Sequence, residues 1–276
     1  MKVSTRVVRA CWWVVLVLGG GGLAAVLFLA CEHMLMKEPA DGVPPATGSS
    51  EKYEVGRLLA RPQPPTVEAP ERGLRPLGLG GERDGLLYVP EGYRADRPAP
   101  LLVMLHGSRS SAREVLEPWL ELADGAGLLL LAPESRVHTW DIVLLDEGFG
   151  PDVPFIDRAL VYVFERYAVD ARHLVLGGFS DGASLALSLG LTNGDLFSHV
   201  AAFSPGFVAP AVLRGRPELF ISHGSEDPVL PVADCGRSIA SRVKDAGYAV
   251  RYREFEGPHT VPSDIRREAL VWFLTP

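Results

Sequence analysis

The residue types that could carry chemistry fall in a few short stretches of the chain. Gly178-Phe179-Ser180-Asp181-Gly182 sets a serine between two glycines, after the apolar run Leu174-Val175-Leu176 and before small and apolar residues that resume at helical spacing from Ala183. That pattern predicts a strand, a sharp turn and a helix. A serine held in such a turn has its hydroxyl lifted clear of the sheet edge, and the flanking glycines let strand and helix approach each other. The chemistry would be nucleophilic attack with a covalent intermediate. A serine hydroxyl is a poor nucleophile at neutral pH, so it needs a histidine base, and the base needs a carboxylate to fix its tautomer.

Downstream of Ser180 there are three histidines. His199 opens an apolar run and His223 closes one, directly before Gly224. His259 instead lies in Phe255-Glu256-Gly257-Pro258-His259-Thr260-Val261-Pro262, between the last predicted strand and the last predicted helix, at the sheet edge expected for Ser180. It is the favoured base, with His223 as runner-up. For the acid, Asp227 follows the preceding strand in a loop stiffened by Pro228 and Pro231. Glu226 and Asp234 are possible substitutes, and the plain alternative is that Asp227 only forms a turn.

Acyl transfer also requires donors for a developing negative oxygen. The backbone N–H of Asp181, at the predicted helix start, is one candidate, its carboxylate turning toward the helix terminus. The other is the N–H of Ser108, after Leu101-Leu102-Val103-Met104-Leu105-His106-Gly107. His106 reads as a brace of this loop and is grouped with Trp140 and Phe179 as a candidate lining of the substrate pocket; Trp140 reads equally as core. No zinc-type spacing of His, Cys and carboxylates is present, so neither metal nor cofactor is expected. Beyond the N-terminal segment the sole cysteine is Cys235, which excludes an intradomain disulfide and reads as a packed helical residue.

These residues need a scaffold. Strand-like runs occur at Gly85 to Val89, Pro100 to Leu105, Leu128 to Ala132, Leu174 to Gly177, His199 to Phe203, Glu218 to Ser222 and Val250 to Phe255. Helix-like stretches lie between or after them at Ala112 to Ala123, Phe155 to Tyr167, Ala183 to Leu191, Val232 to Ala246 and Ser263 to Leu274. Strands alternating with helices predict an α/β domain, a mostly parallel sheet with helices on both faces and sites at the carboxyl ends of the strands. The stretch between Ser204 and Glu218 is too short for a large lid domain; the longer insertion from Glu134 to Val153 is expected to wall the pocket.

Ahead of this domain, Lys2, Arg6 and Arg9 precede an uncharged apolar stretch from Ala10 to Cys31. It reads as a membrane anchor, a long signal peptide or, through Leu27-Phe28-Leu29-Ala30-Cys31, a lipoprotein processing site; each exports the domain. The expected organisation is an anchor or signal segment over 1–36, a Pro-rich flexible linker over 37–76 and the folded domain over 77–276. A net charge of −7 gives no basic surface for nucleic acid.

Taken together, Leu105-His106-Gly107, Gly178-Phe179-Ser180-Asp181-Gly182, Gly224-Ser225-Glu226-Asp227-Pro228-Val229-Leu230-Pro231 and Gly257-Pro258-His259 resemble the α/β-hydrolase fold, in particular its phospholipase/carboxylesterase branch, over residues 84 to 274. The order Ser, Asp, His is the one that fold uses. Ala183 and Pro258 stand where many members carry glycine, which leaves the subfamily open. The resemblance implies a serine hydrolase acting on small or medium carboxylic esters, free or polymer-borne, through an acyl-enzyme. Alternatives on the same residues are a polymer ester depolymerase, a feruloyl-type esterase or a peptidase; from another class, an inactive hydrolase-fold binding protein.

Overall fold

The protein is described by a computed structural model over residues 53, 55–68, 72–145 and 148–275. Eight strands form one sheet: β1 (Gly73–Pro76), β2 (Gly85–Val89), β3 (Ala99–Leu105), β4 (Leu129–Pro133), β5 (Val169–Phe179), β6 (His199–Phe203), β7 (Glu218–Gly224) and β8 (Val250–Phe255). Their order across the sheet is β1-β2-β4-β3-β5-β6-β7-β8. β1 and β2 run antiparallel at one edge, and β4, β3, β5, β6, β7 and β8 are mutually parallel.

The parallel strands are apolar on both faces because each face is covered, and the side-chain period of two assigns alternate residues to different cores. Leu101, Val103, Leu105, Leu174, Leu176 and Ile221 face α4 (Asp152–Arg166), α5 (Asp181–Thr192) and α6 (Ser238–Asp245). Leu102, Met104, Val175, Phe203 and Phe220 face the other side, covered by α1 (Ala112–Leu116), α2 (Leu120–Ala126) and α7 (Ser263–Leu274). The remaining helix, α3 (Asp141–Leu144), is a single turn inside the 134–153 insertion.

Several expectations from the sequence change in detail. The stretch expected as one helix from Ala112 to Ala123 is broken by a 3-10 turn, Glu117–Trp119, at Pro118, whose ring cannot continue the preceding ladder. It resumes as α2 and ends on Gly127, at φ 63°. The helix expected from Val232 begins with a wider π turn, Ala233–Arg237, before α6. Edge strand β1 has too little apolar pattern to be seen in advance.

The larger correction concerns the described part of 37–76, since 37–52 lies outside the described residues. Between 55 and 68 the chain is laid against the domain and does not act as a spacer. Leu58 is fully buried. Its N–H donates to Asn193 Oδ1 at 2.9 Å, and the N–H groups of Leu59 and Ala60 share Asp157 Oδ1 at 2.7 and 2.8 Å. Arg57 forms a two-pronged pair with Asp195 at 2.8 Å. Proline and polar residues concealed this because the anchoring acceptors lie on distant helices. Segment 1–36 lies outside the described residues, among which no helix is long and apolar enough to cross a membrane.

Candidate active site

β5 ends at Phe179, α5 begins at Asp181, and Ser180 between them is held at φ 56°, ψ −121°. For a residue with a Cβ that conformation costs about 1–3 kcal/mol and must be imposed by its surroundings. They do so by close packing: a Cβ on Gly182 would lie 2.2 Å from Leu105 O, and one on Gly178 would lie 2.2 Å from Gly182 O. The Ser180 N–H is fixed on Phe203 O at 3.0 Å.

The strand ends bring the three expected side chains together across 79 residues. Ser180 Oγ is 2.9 Å from His259 Nε2, and His259 Nδ1 is 2.5 Å from Asp227 Oδ2. A carboxylate only accepts, so Nδ1 carries the proton and Nε2 presents its lone pair to the serine hydroxyl. Asp227 is held from both sides, its Oδ1 accepting the N–H groups of Val229 and Leu230 at 2.8 Å each. Burial alone would raise its pKa; the Leu230 N–H, the His259 ring and the Val229 N–H outweigh that and hold the carboxyl below the usual range.

The acid and histidine loops are joined by a bond from Glu226 N to Gly257 O at 3.0 Å. The approach is close enough that a Cβ on Gly224 would lie 2.4 Å from Gly257 O. Glu226 and Asp234, the considered substitutes for Asp227, are exposed. The Phe179 ring lies 4.7 Å from the His259 ring and supports it. His199 is outside this constellation, with Nδ1 2.8 Å from Ser198 Oγ and its ring edge-on to Trp272.

The loop after β3 passes beside Ser180: a Cβ on Gly107 would lie 3.5 Å from Ser180 Cβ. In that loop the Arg109 N–H is engaged by His138 O at 2.7 Å. The Asp181 carboxylate accepts the Thr139 hydroxyl at 2.6 Å, which directs it toward the 134–153 insertion.

The pocket expectation for His106 is corrected, and of the two readings of Trp140 it is the core one that holds. His106 and Trp140 are both fully buried and line no open space. His106 Nδ1 donates to Gly107 O at 2.7 Å, while Nε2 accepts the Ser135 N–H at 3.0 Å. Burial pushes the ring below the usual histidine pKa, so it stays neutral. Trp140 Nε1 donates to His106 O at 2.7 Å. The insertion, expected as a pocket wall, thus braces the loop beside Ser180 through His138 and Trp140 and the start of α5 through Thr139. Sequence gave no signal for Thr139, whose partner is 42 positions away.

A cavity of about 290 Å³ opens beside His259. Phe179, Met104, Val115, Trp119, Phe203 and Val261 supply its apolar lining, with Ser110, Glu114 and Arg266 as polar members; none of the described residues of 134–153 lines it. Among the described residues no cluster of three or more His, Cys, Asp or Glu is arranged to hold a metal.

A mixed eight-stranded sheet in this order, with a strained serine after the fifth strand and its acid and histidine partners after the seventh and eighth, defines an α/β-hydrolase. Residues 155–266 match the family model described as Phospholipase/Carboxylesterase. The chain is 30% identical over 169 residues to the Probable feruloyl esterase C of Aspergillus oryzae, a match covering 58% of this chain. The match spans 60% of that relative's own length.

Among solved structures, a phospholipase/carboxylesterase from Dyadobacter fermentans aligns with TM-score 0.51 at 20% identity, covering 76% of this chain and all of that one. A ferulic acid esterase from Anaeromyces mucronatus, solved with ferulic acid, aligns with TM-score 0.56 at 19% identity, covering 75% and 90%. At such identities these two likenesses concern the fold.

Proposed function

We propose that this domain is a serine esterase that cleaves carboxylic esters of small or medium size. The observation that carries the reading is the unbroken chain Ser180 Oγ, His259, Asp227, at 2.9 and 2.5 Å. Ser180 attacks the ester carbonyl as His259 Nε2 takes its proton, and Asp227 stabilises the imidazolium. The N–H groups of Ser108 and Asp181 receive the oxyanion; a donor of this kind is worth about 3–4 kcal/mol of barrier. His259 then returns the proton to the leaving alkoxide, and water, activated by the same nitrogen, releases the acid.

A feruloyl-type substrate is the second reading, favoured by the cavity beside His259 with Phe179, Trp119 and Phe203 in its lining, and by the named feruloyl esterase relative. Export of the domain, with the apolar segment Ala10 to Cys31 as anchor or signal, is part of the same proposal.

A fluorophosphonate probe is expected to label the native protein and to leave Ser180→Ala unlabelled, and the same substitution is expected to abolish hydrolysis of p-nitrophenyl acetate and butyrate. Substantial residual turnover would refute the assignment. Comparing kcat/KM for methyl ferulate with that for p-nitrophenyl butyrate separates the two substrate readings.

A further inference from the structure

The Asp227 carboxylate has a second histidine on it. His223, in the last turn of strand β7, is fully buried, and its Nε2 lies 2.7 Å from Leu230 O and 3.2 Å from Asp227 Oδ2. A carbonyl oxygen can only accept, so Nε2 carries the ring proton and donates it to Leu230 O, which holds that N–H close beside Asp227 Oδ2. The other nitrogen, Nδ1, is buried without a partner and packs toward Gly236, where a Cβ would lie 2.8 Å from it. An unpartnered buried nitrogen is unfavourable, and an apolar side chain of similar volume would avoid it. What the histidine alone supplies there is an N–H dipole, fixed by Leu230 O, beside Asp227 Oδ2.

We propose that His223 is a positioning residue for Asp227, its ring N–H, anchored on Leu230 O, placing a positive dipole beside Oδ2 that holds the carboxylate in place and draws charge away from its bond to His259. The inference rests on the serine-esterase reading above. The carboxylate has three donors, Val229 and Leu230 N–H on Oδ1 and the His259 ring on Oδ2, and the His223 N–H adds a fourth positive dipole 3.2 Å from Oδ2. The charged and titratable groups facing the His223 ring are Asp227 on its own loop, His259 on the histidine loop and Glu254, its register partner on β8. Glu254 is in turn paired with Arg237 from the turn before α6. Burial of the ring outweighs the Leu230 carbonyl and the Asp227 charge, so it remains neutral and acts as a dipole.

Three variants test this: His223→Leu and His223→Met, which remove the donor at similar volume, and His223→Gln, whose amide nitrogen reaches the Nε2 position. With the donor gone, Oδ2 gives itself wholly to His259. The proton between His259 Nδ1 and Asp227 is then expected to move downfield in the NMR spectrum and the acid limb of kcat/KM against pH to move to higher pH. On p-nitrophenyl butyrate kcat is expected to fall about tenfold with KM changed less than about twofold, since a misaligned triad affects the reacting state more than binding. His223→Gln should return all three readouts toward those of the native protein. Where His223→Leu does not fold, the more adaptable His223→Met carries the comparison.

The proposal is overturned by a folded apolar variant whose NMR signal and pH limb match the native protein. It is equally overturned if Gln is as impaired as Leu and Met, since the ring would then serve packing alone. The NMR signal requires no turnover. A protein that neither reacts with fluorophosphonate nor hydrolyses any ester would therefore sink the esterase reading while the His223 coupling is still decided by the spectrum.

Discussion

Ser180 sits in a backbone conformation that only glycine adopts without strain, and the cost is borne because the turn aims the hydroxyl at His259. Ser180→Gly should therefore be more stable than Ser180→Ala by about 1 kcal/mol in urea denaturation, the reverse of the usual Gly–Ala order, with both unreactive toward fluorophosphonate. The carboxylate carries a different sensitivity. Asp227→Asn can no longer accept the Nδ1–H at Oδ2 without turning its amide NH2 against both backbone donors on Oδ1, so the imidazole takes the wrong tautomer. A fall in kcat of about ten-thousand-fold with the fold intact is expected from steady-state kinetics and circular dichroism.

The 134–153 insertion is held by two buried carboxyls in a reciprocal clasp. Asp152 Oδ2 accepts the Asp141 N–H at 2.7 Å, and Asp141 Oδ2 accepts the Asp152 N–H at 2.6 Å. Burial, followed by the nearby Asp141 charge, pushes the Asp152 carboxyl up to about 7, despite backbone donors acting against it. Its folded value lies above the unfolded one, so between about pH 4 and pH 7 the native state binds the extra proton. Stability from this group is present below that window and is lost as pH rises through it. Asp141→Asn keeps a permanent donor toward Asp152, and urea denaturation at pH 5 and pH 8 should show a smaller loss at the higher pH than in the native chain, by about 1–2 kcal/mol. The clasp anchors the segment carrying His138, Thr139 and Trp140, so its opening should also lower kcat above neutral pH.

Across the whole molecule, the core on the α4 and α5 face of the sheet is sealed at one side by the strap from 55 to 68. Leu58 and Ala60 belong to the core that includes α4 and α5, and Asn193 Nδ2 donates to Gly56 O and Leu189 O at 2.8 Å each, tying strap to helix end. Removing the strap would expose the Leu58 site and leave Asp157 and Asn193 with unmet acceptors. A chain shortened to begin at residue 72 is expected to lose about 3 kcal/mol against one beginning at residue 51, measured by thermal unfolding. Equal stability of the two would mean that the contacts of 55–68 contribute nothing to the fold.

The chain's own order of residues was enough to place the parallel strands β3 to β8, since continuous apolar runs bounded by turns have few other uses, and to single out Ser180, Asp227 and His259, each one a polar residue at a strand end. The same reading could not find the strap, the brace from His138 to Trp140 or the contact of His223 with Asp227. Each of these depends on a directional hydrogen bond, in most cases between residues far apart in the chain, and such a bond leaves no periodicity and no local composition to detect. Trp140 shows the difference most clearly: an aromatic in an insertion near a site reads equally as pocket wall or as core, and only the packing of the chain decided that it is buried with its indole N–H on His106 O.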